Sequence, residues 1–83
     1  MHSNSTIVIR NGLERAQWTT SDLWIAALAV GGDLRHRDVE QIARGDRQAT
    51  PLEHDILATA LNDHFTDLGE DHPIRYWQQL TTP

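Results

Sequence analysis

The chain has 83 residues, a formal net charge of −5 and no cysteine. This length predicts a single domain, because a division would leave neither part with a core, and the missing cysteines exclude a disulfide framework and a thiolate metal site. The acidic total argues against non-specific binding of nucleic acid, which depends on neutralising phosphates.

The first predicted element is a short extended arm over residues 1–11. Residues 6–10 read TIVIR, and β-branched side chains favour an extended strand. Asn11-Gly12 is a strong turn signal. One or two helical turns are expected to follow over residues 13–17.

The second element is an apolar helix with a clear start signal. Thr19 can cap this helix, and Asp22 stands at the position that completes a capping box. The sequence LWIAALAV follows, and Gly31-Gly32 ends the helix. Because this helix is apolar on every side, we expect it to be the buried central helix.

A third helix is predicted over residues 35–44, and Gly45 ends it. Its apolar residues recur at helical spacing, which predicts that one face is buried. The residues of this inward face are Leu34, Val39, Ile42 and Ala43.

The fourth helix has the best local signal in the chain. Thr50 is a capping residue, Pro51 suits the first helical position, and Glu53 completes the capping box. The helix is predicted to reach about Leu68, with Gly69 as its stop. Its expected apolar stripe comprises Leu52, Ile56, Leu57, Ala60, Leu61, Phe65 and Leu68.

The last predicted element is a short helix that Pro73 opens. Its inward residues are Ile74, Trp77 and Leu80. The chain is therefore predicted to be a small all-α domain of four or five helices. Residues 1–11 form the arm, residues 19–68 a helix-turn-helix core, and residues 69–83 the short C-terminal helix.

The third predicted helix could read DNA. Such a helix needs apolar anchors inside and side chains outside that reach base edges and phosphates, as arginine can for guanine and glutamine for adenine. The outward candidates are Arg35, His36, Arg37, Glu40, Gln41 and Arg44. Arg47 and the backbone near Thr50 could hold phosphates. Asp38 and Glu40 would repel phosphate, although glutamate can accept from cytosine.

The stretch LAVGGDLRHRDVEQIARGDR, residues 28–47, resembles the helix-turn-helix of the lambda-repressor/Cro-like family. The matching positions are Leu28-Ala29 on the supporting helix, Leu34 in the turn, Val39 and Ile42 as anchors of the recognition helix, and Gly45 as its closing glycine. The resemblance covers about residues 23–68. Asp33 stands where the family has its turn glycine, and Arg35 where it has a capping serine or threonine.

The resemblance implies a sequence-specific DNA-binding transcriptional regulator, a repressor of the size that phages and mobile elements use. It implies binding of double-stranded DNA as a homodimer, with repression by occlusion of polymerase. The residues that it places on DNA are Arg35, His36, Arg37, Gln41 and Arg44.

Two alternatives stay open. The mixed charges of residues 35–47 also fit an ordinary solvated face. The chain could instead be a protein-interaction module that inhibits a host protein, with the helix-turn-helix as scaffold and an acidic or aromatic surface as the contact. Residues 53–71, which carry six acidic residues and no arginine, and the pair Tyr76-Trp77 are the candidate surfaces.

The sequence offers no pattern for catalysis or for a cofactor. His54 and His64 are ten residues apart and do not share a helical face, and no metal-ligand spacing occurs. No apolar run approaches the roughly 20 residues of a membrane span, and a signal-peptide pattern is missing. We therefore expect a non-enzymatic cytoplasmic protein without cofactor, metal or membrane contact.

Overall fold

Five helices account for most of the chain in the computed structural model, which describes residues 4–81. They are α1 (Asn4–Ala16), α2 (Thr20–Ala29), α3 (His36–Arg44), α4 (Pro51–Asp67) and α5 (Trp77–Thr81). No strand occurs in this range, so the predicted all-α class is confirmed. Helix α4 packs against α1, α2 and α5, and α3 packs against α1 and α2.

The predicted N-terminal arm is wrong from residue 4 onward, because these residues form α1. Residues 1–3 lie outside the described part. Ile9 and Leu13, one helical turn apart, are both buried in the core, and this burial overrides the strand preference of TIVIR. Gly12 is not a turn residue but an interior helical position: a Cβ there would lie 2.8 Å from Leu61 Cδ1.

Helix α2 begins and ends where the sequence predicts. Thr19 Oγ1 accepts a hydrogen bond from the Asp22 N–H at 3.1 Å, and the Asp22 carboxylate accepts from the Thr19 N–H at 3.0 Å. The helix ends just before Gly31, whose φ of +91° favours glycine.

The prediction that α2 is the buried central helix is wrong. Only Leu23 and Ala27 are buried, whereas Ile25 is 59% exposed and Leu28 is 45% exposed. The other helices cover one side of α2 and partly bury Trp24 and Ala26, whereas Ile25, Leu28 and Ala29 are exposed. Helix α4 takes the central place instead, because it packs against α1, α2 and α5 and has seven buried residues, more than any other described helix.

Helix α3 follows a longer connection than a helix-turn-helix usually has. Residues 30–35 separate it from α2, six residues in place of the roughly three or four of that motif. The inward residues are those predicted: Leu34, Val39, Ile42 and Ala43 are all buried. Gly45 caps the C-terminus in the left-handed region, with φ +83°.

Helix α4 has the predicted start, and part of the predicted apolar stripe. Thr50 and Glu53 exchange both hydrogen bonds of a capping box. The middle of the stripe, Leu57, Ala60, Leu61 and Phe65, is buried. Its two ends are not, since Leu52 is 70% and Leu68 is 63% exposed. Both ends are packed on their other side, since His54 and Phe65 are buried, so Leu52 and Leu68 lie on the side of the chain that faces solvent.

The C-terminal helix is shorter than predicted. Residues 73–76 are not helical, and α5 begins at Trp77. Ile74 is buried as expected, but its backbone pairs with the side chain of Asn62 in α4 rather than within a helix. Among the described helices, none has the length and apolar character to cross a membrane.

Candidate nucleic-acid interface

The inner face of helix α3 packs into the core of the protein. Val39 and Ile42 are completely buried. The Thr6 hydroxyl of α1 donates a hydrogen bond to the Ile42 carbonyl oxygen at 2.8 Å. Just before α3, the Trp24 indole N–H of α2 donates to the Leu34 carbonyl oxygen at 3.0 Å. Contacts from α1 and α2 therefore fix both ends of the segment that carries the candidate residues.

The two carboxylates of α3 bind groups of the protein itself. Asp38 Oδ2 accepts from the Arg35 backbone N–H at 3.0 Å and so caps the helix, since arginine at the cap has no acceptor to offer. Glu40 contacts Arg44 at 2.9 Å and His36 Nδ1 at 3.5 Å. These contacts reduce the repulsion that Asp38 and Glu40 would exert on a phosphate.

Arg47 connects α3 to the start of α4. Its guanidinium donates to both Glu53 carboxylate oxygens, at 2.8 and 3.1 Å, and lies 3.4 Å from Asp38 Oδ1. The hydrogen bond to Glu53 raises the pKa of Arg47, and the hydrogen bond from Arg47 lowers the pKa of Glu53. A phosphate would have to compete with Glu53 for this arginine, so the geometry favours a structural role over the predicted phosphate contact.

The backbone N–H groups at the N-terminus of α4 are also bound by side chains of the protein itself. The Thr50 hydroxyl accepts from the Glu53 N–H at 3.1 Å, and Glu53 Oε1 accepts from the Thr50 N–H at 2.9 Å. Two backbone donors that could have received a phosphate are thus already satisfied.

His36 lies between α2 and α3 rather than on the outer face alone. Its Nε2 is 3.0 Å from Ser21 Oγ, and its ring centroid is 5.4 Å from that of Trp24. The side chain is 40% exposed. His36 therefore helps to position α3 against α2, and only part of its ring is open to a ligand.

The remaining candidates form what we call the α3 outer face: Arg35, Arg37, Gln41 and Arg44. Arg37, Gln41 and Arg44 follow one another at spacings of four and three residues, which places them on one side of the helix. Arg35 and Arg37 are exposed and enter no ion pair within residues 4–81, while Arg44 is exposed but paired with Glu40. Gln41 is half-buried.

The charge around α3 is balanced. Residues 33–47 carry four arginines and four acidic residues. Such a segment supplies little of the non-specific attraction to phosphates that dominates most DNA binding. Any affinity of the α3 outer face for DNA would depend on contacts with base edges.

A serine–histidine pair lies inside the protein and could not be found from the spacing of residues in the sequence. Ser5 Oγ is 2.7 Å from His54 Nδ1, the distance of a nucleophile and its base. However, Ser5 is 2% and His54 is 0% exposed, so no substrate reaches either group. The pair joins α1 to α4 as a structural contact.

The described side chains also contain no group of three or more histidine, aspartate or glutamate residues arranged to hold a metal ion. In comparisons with known proteins, no family model, no curated protein and no solved structure matches the chain.

Proposed function

We propose that the protein is a small cytoplasmic DNA-binding transcriptional regulator whose α3 enters the major groove. One observation carries this proposal: Val39 and Ile42 anchor the inner side of α3 in the core, while Arg37, Gln41 and Arg44 line its outer side. A reading helix needs this division between anchors and contact residues.

The side chains of the α3 outer face suit base edges. Arginine can donate two hydrogen bonds to guanine, and glutamine can pair with adenine. The helix has nine residues and is therefore roughly 13 Å long, which corresponds to about four base-pair steps. Arg35, at the helix start, would contact a phosphate beside the groove.

A homodimer would put two copies of α3 into successive major grooves, about 34 Å apart. With a balanced charge around α3 and an acidic body, this protein would bind random DNA weakly and rely on base contacts for its affinity. A dimer bound to a promoter would repress by blocking polymerase.

The test is a selection of binding sites from a library of randomised duplexes, followed by affinity measurements over a salt series. We expect one enriched sequence with two related half-sites. Arg37→Ala should weaken binding to that sequence by about 1–3 kcal/mol and relax the preference at one base pair.

Arg75→Ala is the matched control, because Arg75 is also an exposed arginine but lies beyond α4. We expect it to leave sequence preference unchanged. Failure to enrich any sequence would overturn the proposal, as would equal losses in the two variants, which would show that only total charge matters.

A further inference from the structure

Helices α2 and α4 leave apolar side chains in solvent, among them Ile25, which is 59% exposed, and Leu52, which is 70% exposed. The surface contains two neighbouring depressions, since the consecutive residues Ala29 and Val30 line one each. We define the α2–α4 surface by Asp22, Ile25 and Ala29 in the first depression and Val30, Leu52 and Asp55 in the second. Contiguous apolar surface of this kind marks an interaction site more often than single exposed side chains do.

The shape of the two depressions suits the side chains of another protein. Both are shallow and open to solvent, whereas small-molecule pockets usually cover most of the ligand. An amphipathic helix that lies in a groove presents apolar side chains at positions i, i+3 or i+4, and i+7. Two neighbouring depressions can accept two such side chains.

The charge of this surface determines which kind of partner fits. Helix α2 contains one acidic residue and α4 contains four, and neither helix contains lysine or arginine. In a two-fold dimer the same patch of both copies would meet, so carboxylates would face carboxylates. Such like-charge contacts are unfavourable, whereas a basic partner would have complementary charge.

We propose that the α2–α4 surface binds a basic amphipathic helix of another protein. The apolar side chains of that helix would fill the two depressions, and its lysines or arginines would lie near Asp22 and Asp55. No residue of the α3 outer face lines either depression. This inference therefore does not rest on the proposed binding of DNA.

The experiment titrates the ¹⁵N-labelled full chain with a synthetic helical peptide that carries leucines on one face and lysines on the other. We expect saturable binding that weakens as salt increases, with chemical-shift changes centred on Ile25, Val30 and Leu52. A peptide with glutamate in place of every lysine should bind at least about tenfold more weakly. The charge is varied on the peptide and not on the protein, because Asp22 accepts a hydrogen bond from the Thr19 N–H and Asp55 accepts one from the Trp77 N–H. Replacing either carboxylate would therefore also change a contact within the fold.

Two variants test the surface itself. Ile25→Ser and Leu52→Ser should each weaken binding of the lysine peptide by about tenfold. Leu68→Ser is the matched control, because Leu68 is 63% exposed but lies outside both depressions. Circular dichroism should show the same helix content in all three variants, since each replaced side chain is largely in solvent.

Three results would overturn the inference: no saturable binding of the lysine peptide, equal binding of the two peptides, or an equal loss in Leu68→Ser. Sedimentation equilibrium tests whether a second copy of this chain occupies the surface instead. A dimer that Ile25→Ser or Leu52→Ser dissociates would assign the surface to a second copy of this chain, and would also overturn the inference.

Discussion

The side-chain amide of Asn62 pairs with both backbone groups of Ile74: its Nδ2 donates to the Ile74 carbonyl oxygen at 2.9 Å, and its Oδ1 accepts from the Ile74 N–H at 2.9 Å. These two bonds supply the partners that a buried non-helical backbone needs. They hold residues 73–76, the non-helical segment before α5, against α4. As a result, the Ile74 side chain enters the core beside Gly12.

Asn62→Ala should therefore destabilise the protein strongly. The substitution leaves a buried N–H and a buried carbonyl without partners, at about 1–3 kcal/mol each when water cannot replace them. We expect the free energy of unfolding, measured by urea denaturation, to fall by about 3 kcal/mol.

Asn11→Ala is the control for this change, because Asn11 is an exposed asparagine of α1. Its effect should stay within about 0.5 kcal/mol. Similar losses in the two variants would show that the bonds to Ile74 contribute little.

Ser5→Ala tests the second buried polar contact. His54 Nε2 lies 2.8 Å from the Arg75 carbonyl oxygen, which can only accept, so Nε2 carries a proton. In the neutral ring Nδ1 then accepts from the Ser5 hydroxyl. Removing this hydroxyl should cost about 1–3 kcal/mol in urea denaturation, because a buried acceptor loses its donor.

Ser21→Ala removes a hydroxyl that also contacts a histidine, His36, but in an exposed position. Its cost should be below about 0.5 kcal/mol. Histidine ¹⁵N shifts provide an independent check: a wild-type His54 with its proton on Nδ1 would contradict the assignment.

The features that local sequence determines could be predicted, and those that depend on distant neighbours could not. Thr50 and Glu53 form their capping box from residues three apart, so the start of α4 is visible in the sequence. The strand preference of TIVIR is also local, but Ile9 is buried by helices from elsewhere in the chain, and this burial selects a helix. Exposure of Ile25 likewise depends on which helices cover α2.

The difference between features set by local sequence and features set by distant neighbours also applies to the candidate site. The helical spacing of Val39 and Ile42 predicts the inner side of α3, and thereby its outer side. The ion pair of Arg47 with Glu53 was missed, because it depends on how the connection between α3 and α4 folds back. A basic residue shortly before a capping-box glutamate is the one signal that could have indicated it.

Arg47→Ala should have an effect on stability that depends on pH. Arg47 lowers the pKa of Glu53 below its ordinary value of 4.5. A lowered carboxyl pKa contributes stability that is complete above the unfolded pKa and is lost as the pH falls through the folded pKa. Both side chains are partly exposed, so we expect a loss of about 1 kcal/mol at neutral pH.

This loss should begin to shrink when urea denaturation is repeated below pH 4.5, the ordinary pKa of Glu53, because the unfolded chain then binds a proton at Glu53. It should disappear below the lowered pKa of the folded wild type, where Glu53 is protonated in both proteins. Arg10→Ala removes an exposed arginine of α1 that has no ion pair within residues 4–81, and its effect should not change with pH in this range. A loss in Arg47→Ala that stays constant between neutral and acidic pH would contradict the role given to the ion pair.

Glu40→Gln should strengthen binding to every DNA duplex if α3 enters the major groove. Glu40 holds Arg44 at 2.9 Å, and its neutralisation would remove a negative charge beside the groove and leave this arginine free for a base edge in the specific site or a phosphate in a random duplex. We expect a several-fold rise in affinity for specific and random duplexes alike, with a salt dependence steeper by about one released counterion.

Glu14→Gln makes the same charge change at an exposed position of α1 and should have a smaller effect. Equal gains in the two variants would indicate a response to net charge alone, and no gain in Glu40→Gln would show that Glu40 does not restrain Arg44.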